Sequence, residues 1–461
     1  MQSPKRIAVI GAGAAGLATA REILRHGMQV VVLEQSQGVG GTWLYEPDTE
    51  DDLMGVDTSR HVHSSLYDSL RTNLPRDLMA FLDYSFDSKG GGDDYDLRYP
   101  HHSSVLTYLE RFAAEFDLLP HIAFGQSVTS IKRRNDLALD VKTPELSGCW
   151  SVTTLSASGE VRQEDFDAVA VCNGHYSKTR VPVIEGQFEG MTLHSHNYRN
   201  PEFCRDKTVV VLGAGASGSD ISREIAQVAK RVVWCAQSFT LPITKTPAGV
   251  ELHPWPKHFH GQGPVFDDDQ LIDADIVMYC TGYEYQFPFL GGDVNEINNV
   301  DKAPTEVVVD DNWVHPLYMD IVSPTQPTLG FIGLPFLVIP FPLFQIQAEW
   351  FAKSLCGELV LPSPTLMLQS IDAKIDELTA SDVKKRHFHR LAEKQTDYIN
   401  LLASHYGRAP LPSWFGKLAL YAQQSRMIDS EHFRDLPFEA KDCPGPTTVK
   451  LPKRRGQERA I

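Results

Sequence analysis

Six glycines in two matching triplets carry the chemistry most legible in this chain: Gly11-Ala-Gly13-Ala14-Ala15-Gly16 and Gly213-Ala-Gly215-Ala216-Ser217-Gly218. Each triplet follows an apolar run that reads as a strand (Ile7 to Ile10, Thr208 to Leu212) and opens a helical pattern. In that context G-x-G-x-x-G places a dinucleotide pyrophosphate on a helix N-terminus. The first glycine makes the tight turn, the second lets backbone approach the phosphates, and the third lets helix pack on strand. Two such fingerprints in one polypeptide point to two dinucleotides and to electrons passing between them.

The residues around each fingerprint refine that reading. Glu34 ends the run Val30-Val-Val-Leu-Glu34, with Gln35 beside it. A carboxylate there accepts hydrogen bonds from ribose hydroxyls and repels a 2′-phosphate, which fits FAD or NAD and excludes NADP. Gly40-Gly41-Thr42-Trp43 adds a second glycine turn with a large aromatic, the sort of loop that wraps the ribityl-phosphate side of FAD. The second site lacks a selectivity residue, because the strand ending at Cys235 runs into Ala236-Gln237-Ser238, without an acid for NAD or an arginine for a 2′-phosphate. Arg223, Lys230, Arg231 or Lys245 could fold back toward that phosphate, so NADPH is mildly favoured and NADH stays open.

Around these sites the chain reads as an α/β protein. Residues 5–34 give strand, helix, strand; Ser103 to Phe116 is helical, with Ser103 or Ser104 as its cap; residues 122–172 alternate as a β-meander. A second βαβ unit runs from Lys207 to Cys235 and closes with the apolar strand leading to Cys280-Thr281-Gly282-Tyr283. The uncharged stretch Ile321 to Ala348 holds Pro324, Pro327, Pro335, Pro340 and Pro342, too many for a spanning helix, and reads as a buried strand and loop entering a helix at Phe344. The run from Ile7 to Ala20 after Lys5-Arg6 has the outline of a signal peptide, but three glycines in register favour the fold. Gly90-Gly-Gly-Asp-Asp94 reads as the most flexible loop point.

At 461 residues the chain has room for two or three domains with their own cores. A formal net charge of -16 argues against nucleic acid or an anionic membrane as partner, and the basic tail Lys450 to Arg455 reads as a frayed terminus. Seven cysteines without C-x-x-C indicate no disulfide framework, zinc site or redox dithiol, and suit a reducing cytoplasm. His61, His63, His101 and His102 lack carboxylate partners at metal spacing, so no metal is expected. No apolar anchor follows residue 430, so a soluble form is expected; homodimer formation is left open.

Between the two fingerprints lies Phe188-Glu-Gly190-Met-Thr-Leu-His194-Ser-His-Asn-Tyr198. Together with Gly40-Gly-Thr-Trp43, Tyr67-Asp-Ser-Leu-Arg-Thr-Asn73-Leu-Pro75, Cys280-Thr-Gly282-Tyr283 and Gln347-Ala-Glu-Trp350, in that order, it resembles the flavin-containing monooxygenases. The resemblance runs from residue 5 to about residue 370, and the stretch Leu70 to Met79 looks most like the plant branch that oxygenates sulfur. It implies two Rossmann-like domains, with a smaller NADP domain (178–284) inserted into an FAD domain (1–177 and 285–461) that ends in helices. It also implies that NADPH reduces FAD, that O₂ forms a C4a-hydroperoxyflavin, and that a soft nucleophile (sulfide, thiol or amine) takes the distal oxygen.

Carried over by position, Asn73 resembles the active-site asparagine, Gln347 the residue that approaches the flavin ring, and His194 and Tyr198 organisers of the hinge. A Baeyer–Villiger monooxygenase is the nearest rival, but its fingerprint ends in Trp followed by Pro or Asp where this chain has Tyr198-Arg199. A non-catalytic FAD/NAD(P) redox sensor would keep the glycines without needing Asn73 or the linker signature.

Overall fold

The computed structural model describes residues 4–86, 97–134, 150–239, 249–291, 307–429 and 431–435. The Gly90 to Asp94 run, Lys245 and the basic tail lie outside them. The first βαβ unit comprises β1 (Arg6–Ile10), α1 (Ala14–Arg25) and β2 (Gln29–Glu34). It is followed by α2 (Arg76–Met79), α3 (His102–Glu115), β3 (Ile122–Phe124), β4 (Gln126–Arg133), β5 (Trp150–Ser156), β6 (Val161–Phe166) and β7 (Ala168–Val171). A linking stretch carries β8 (Lys178–Thr179), β9 (Glu185–Gly186) and β10 (Met191–His194). The second unit has β11 (Thr208–Leu212), α4 (Ala216–Ile225), β12 (Arg231–Ala236), β13 (Val250–Pro254), β14 (His258–His260), β15 (Gly263–Val265), β16 (Ile276–Tyr279) and β17 (Tyr283–Glu284). Last come β18 (Val308–Asp310), β19 (Trp313–His315), β20 (Leu329–Phe331), α5 (Pro340–Cys356), α6 (Pro364–Ala380), α7 (Gln395–Ser404) and α8 (Ser413–Ile428).

Two parallel five-stranded sheets organise these elements. One has the order β20-β7-β1-β2-β3, the other β10-β16-β11-β12-β13. The chain leaves the first sheet after β7 and re-enters it at β20, with the whole second sheet built in between. Parallel strands covered on both faces need continuous apolar runs, and the central strands have them: Ile7, Ala8 and Val9 in β1 and Val209 to Leu212 in β11 are all 0 % exposed. The buried face of α1 packs on α5, while β4, β5 and β6 form an antiparallel meander beside the first sheet.

Two element starts differ from the sequence expectation. Helix α3 begins at His102 after the extended residue His101, so Ser103 and Ser104 lie inside it rather than capping it. The backbone explains the shift: Thr72 N–H donates to Pro100 O (2.9 Å) and His102 N–H to Leu70 O (3.0 Å), which fixes the chain direction entering the helix. Helix α5 begins at Pro340, one turn before Phe344. Prolines are tolerated in a first turn, where their missing N–H groups have no intrahelical acceptor.

Candidate active site

The carboxyl ends of β1, β2, β7 and β20 share one edge of the first sheet, and the glycine loop runs along it. Gly11 sits at φ +100°, and a Cβ there would lie 2.8 Å from Cys172 O. A Cβ on Gly16 would lie 1.8 Å from Gly11 O, so only glycine lets α1 approach the turn. Gly13 caps α1 without a side-chain hydrogen bond, and no acid occupies the first turn (Ala14, Ala15, Gly16, Leu17). The first amides of such a helix have no intrahelical acceptor and form a cradle for phosphate. The second glycine turn closes over it: Gly40 N–H donates to Ala12 O (3.0 Å), and a Cβ on Gly41 would come within 2.9 Å of Gly13 Cα. Thr42 O accepts from Ser64 Oγ (3.1 Å), and Trp43 stands edge-on to Phe341 at 6.5 Å.

Glu34 is buried at the end of β2, as the ribose reading requires, and it also holds the loop together. Its carboxylate accepts from Ala12 N–H (2.6 Å) and Ser36 N–H (2.8 Å). An ionised carboxylate offers about four acceptor positions, so both backbone bonds leave capacity for ribose hydroxyls. Gln35 is exposed next to it. This constellation fits FAD: a phosphate cradle at a helix end, a closed glycine turn, and an acid at the end of the neighbouring strand.

The second sheet repeats the design with one difference. Gly213 (φ +120°) has Cys280 O only 2.3 Å from a would-be Cβ, and Gly218 has Gly213 O at 2.0 Å. At Gly215 an added Cβ meets nothing within 4 Å, and Gly215 and Ala216 are exposed where Gly13 and Ala14 are covered or buried. Ser217 follows in the first turn of α4. This more open cradle fits a nucleotide that comes and goes. Thr281 Oγ donates to Arg180 O, and Arg180 N–H donates to Gly282 O (3.0 Å), so the turn after β16 is tied to the linking stretch.

Three of the basic residues offered for a 2′-phosphate are placed elsewhere. Lys230 and Arg231 stand at the amino end of β12, opposite the glycine edge, and Arg231 is engaged by Glu251 (2.7 and 2.9 Å). Arg223 is paired with Asp220 on its own helix. For Lys230 and Arg231 the reason is the direction of the strand: residues at the start of β12 emerge at the opposite edge from those after it.

Asn73 and Gln347, the two residues carried over by position, are placed very differently. Asn73 lies in the loop before α2, exposed, with Thr72 Oγ donating to Leu74 O (2.8 Å) to shape the turn. Gln347 is 0 % exposed; its Oε1 accepts from Gly333 N–H (2.9 Å) and its Nε2 donates to Tyr398 OH (2.8 Å). Its amide is therefore spent inside the protein, about two turns into α5, and its side chain buttresses the Gly333 turn at the end of β20 instead of reaching into a groove.

The linker signature forms a buried, internally bonded cluster. His194 is fully buried, and its Nδ1 accepts from His196 N–H (3.1 Å). Burial, and next the neighbouring His196, push its imidazole down to about 3, so it stays neutral. His196 faces Glu50 at 3.5 Å, and both rings stand edge-on to Tyr283. Burial alone would raise the Glu50 carboxyl, yet His196, the Val62 amide and Asn197 hold it below its ordinary value. Tyr198 OH donates to Glu224 Oε2 (2.9 Å) on α4.

Sequence reasoning missed the contacts that tie the first domain to α4. Tyr67 OH donates to Asp220 (3.1 Å), Ser69 Oγ to Glu224 (2.7 Å), and Arg434 reaches the same Asp220. These groups line a cavity of about 450 Å³. No local pattern announces them, since the partners are 153, 155 and 214 positions apart.

Comparison with known proteins places this geometry. The model of the flavin-binding monooxygenase-like family matches residues 4–246 and 240–410. The flavin-containing monooxygenase FMO GS-OX-like 2 of Arabidopsis thaliana is 40% identical over 454 residues, 95% of this chain and 94% of that protein. The structure of S-allyl-L-cysteine S-oxygenase from Allium sativum aligns with TM-score 0.86 at 39% identity, covering 95% of this chain and 97% of that one. Cyclohexanone monooxygenase shares the fold alone, at TM-score 0.56 and 16% identity over 87% of this chain and 98% of its own. The chain belongs to the flavin-binding monooxygenase-like family and is a flavin monooxygenase that works with FAD and NADPH.

Proposed function

We propose that this enzyme transfers one oxygen atom from O₂ to the sulfur of a small thioether, consuming NADPH: sulfide, O₂, NADPH and a proton give sulfoxide, water and NADP⁺. The observation that carries the reading is the near full-length likeness to an S-oxygenase at 39% identity. When bound, FAD and NADPH supply the electrons and the activation of O₂, as in other cofactor enzymes where the organic chemistry belongs to the cofactor.

The protein's share is to bind, orient and exclude water. Gly11, Gly13, Ala14, Ala15, Gly16, Glu34, Gln35, Gly41, Thr42 and Trp43 would hold FAD; Gly213, Gly215, Ala216, Ser217, Gly218, Thr281 and Gly282 would hold NADPH. Asn73 would present a neutral amide at the junction, a donor too weak an acid to hand over its proton there. Gln347, carried over as the residue that approaches the flavin, would act on that site through the Gly333 turn it holds. In the same reading the inserted domain is 178–284 between 1–177 and 285–461, and the protein is cytoplasmic, in keeping with the free thiols of the described cysteines.

The test is NADPH oxidation with a panel of thioethers, thiols and tertiary amines, with products identified by mass spectrometry. Thioether-stimulated oxidation with a sulfoxide product is expected. Amine oxide as the only product would move the assignment to nitrogen, and no oxygenated product would overturn it.

A further inference from the structure

We propose that Arg434 is a positioning residue that clamps helix α4 of the second dinucleotide domain to the loop carrying Asn73, and so sets how the two cofactor sites face each other. The inference rests on the reading of Asn73 as a junction residue, but its principal test does not depend on the substrate.

The segment bearing Arg434 is anchored in the first domain. Phe433 is 2 % exposed and stands edge-on to Tyr99 at 5.3 Å, in a cluster with Leu78, Ile339 and Phe415. From that anchor the guanidinium reaches two ways. Nη1 and Nη2 donate to the Asp220 carboxylate on α4 at 3.1 and 2.5 Å. Nε donates to Thr72 O at 2.9 Å, and Nη2 also approaches Arg71 O at 3.4 Å. Arg71 and Thr72 are the two residues before Asn73. Arg71 returns the contact, donating to Asp435 (2.9 Å) and to Tyr99 O (2.9 Å).

The chemistry demands an arginine. One planar fork must satisfy a carboxylate on one domain and backbone carbonyls on the other at once, which a point-charged ammonium does poorly. The pair is also sheltered, with side-chain exposures of 12% for Arg434 and 20% for Asp220, so solvent screens it little. A fold staple and an orienting clamp make different predictions. A staple affects stability alone. A clamp changes the alignment of hydride donor and acceptor, and a misplacement of about 1 Å costs on the order of 100-fold in rate.

The experiment uses FAD-loaded protein: wild type, R434A, R434K, D220N and the D220N/R434A double variant. Anaerobic mixing with NADPH reads the rate of flavin reduction and the NADPH concentration giving half the maximal rate; bound-flavin absorbance reads cofactor content. R434A and D220N are each expected to keep their FAD and to slow reduction by at least about tenfold. R434K recovers little of it, and the double variant is no slower than the slower single, as expected for two ends of one interaction. Should R434A fail to fold, D220N removes the carboxylate from the other side, together with its bonds to Tyr67 and Arg223, and a wild-type rate there overturns the clamp. Reduction at the wild-type rate in either variant, whatever its melting temperature, would overturn the clamp. Absence of sulfoxide from wild type would overturn the sulfur assignment and leave this readout intact.

Discussion

A methyl group at Gly16 would lie 1.8 Å from the Gly11 carbonyl oxygen, whereas one at Gly215 meets no atom within 4 Å. The two glycines therefore fail differently. Gly16→Ala forces strand and helix apart and is expected to destabilise by about 3 kcal/mol or more and to release flavin, read by thermal melting and absorbance. Gly215→Ala leaves the melting temperature unchanged but intrudes on the nucleotide, raising the NADPH dissociation constant about tenfold, equivalent to ~1.4 kcal/mol. Asn73 is exposed, so Asn73→Ala should change stability by less than about 0.5 kcal/mol while lowering the sulfoxide formed per NADPH consumed. Unchanged coupling would remove Asn73 from the site. The glycines and Glu34 were legible in sequence because each acts within one strand–turn–helix. Arg434 was not, since its Asp220 partner is 214 positions away and only the folded chain brings them together.

At the scale of elements, the linker between β7 and β11 works as a buried polar joint. His194 is held neutral, pushed down to about 3 by burial first and His196 second. His175, four residues beyond β7, is pushed down to about 4 for the same leading reason. Both native values lie below the unfolded value near 6.5, so between those limits the unfolded chain binds the extra protons. Stability is then lost as pH falls through that window, by about 2 kcal/mol at pH 5 for His194 alone. Denaturant midpoints at pH 7.5 and 5 check this, and His194→Asn should flatten the difference. An equally steep pH dependence in that variant would contradict it. Apolar periodicity found the strands and α5, but the starts of α3 and α5 moved because backbone bonds at Leu70 and Pro100, and prolines that fit a first turn, decide where a helix begins. Gln347 moved with α5: a later start would have put it at the helix end, whereas it lies deep against Tyr398.

For the whole molecule, the duplicated βαβ unit made two parallel sheets readable, and the proline-rich apolar run made the return to the first sheet readable at β20. What the sequence left open is how the sheets are held together: the Glu50–Asn197 pair, the bonds from Tyr67 and Ser69 to Asp220 and Glu224 of α4, and the Arg434 bridge all connect distant segments. No described helix is long and apolar enough to cross a membrane. The cradle at Gly215 is open and the one at Gly13 is closed by the Gly40-Gly41 turn, which suits a nicotinamide nucleotide that exchanges and a flavin that stays.

The most direct measurement is turnover of a thioether with NADPH under ¹⁸O₂ by protein carrying its own flavin. One ¹⁸O atom per sulfoxide is predicted, with its appearance abolished by removing NADPH. Sulfoxide labelled instead from ¹⁸O-water, or its formation by protein that cannot hold flavin, would contradict the account.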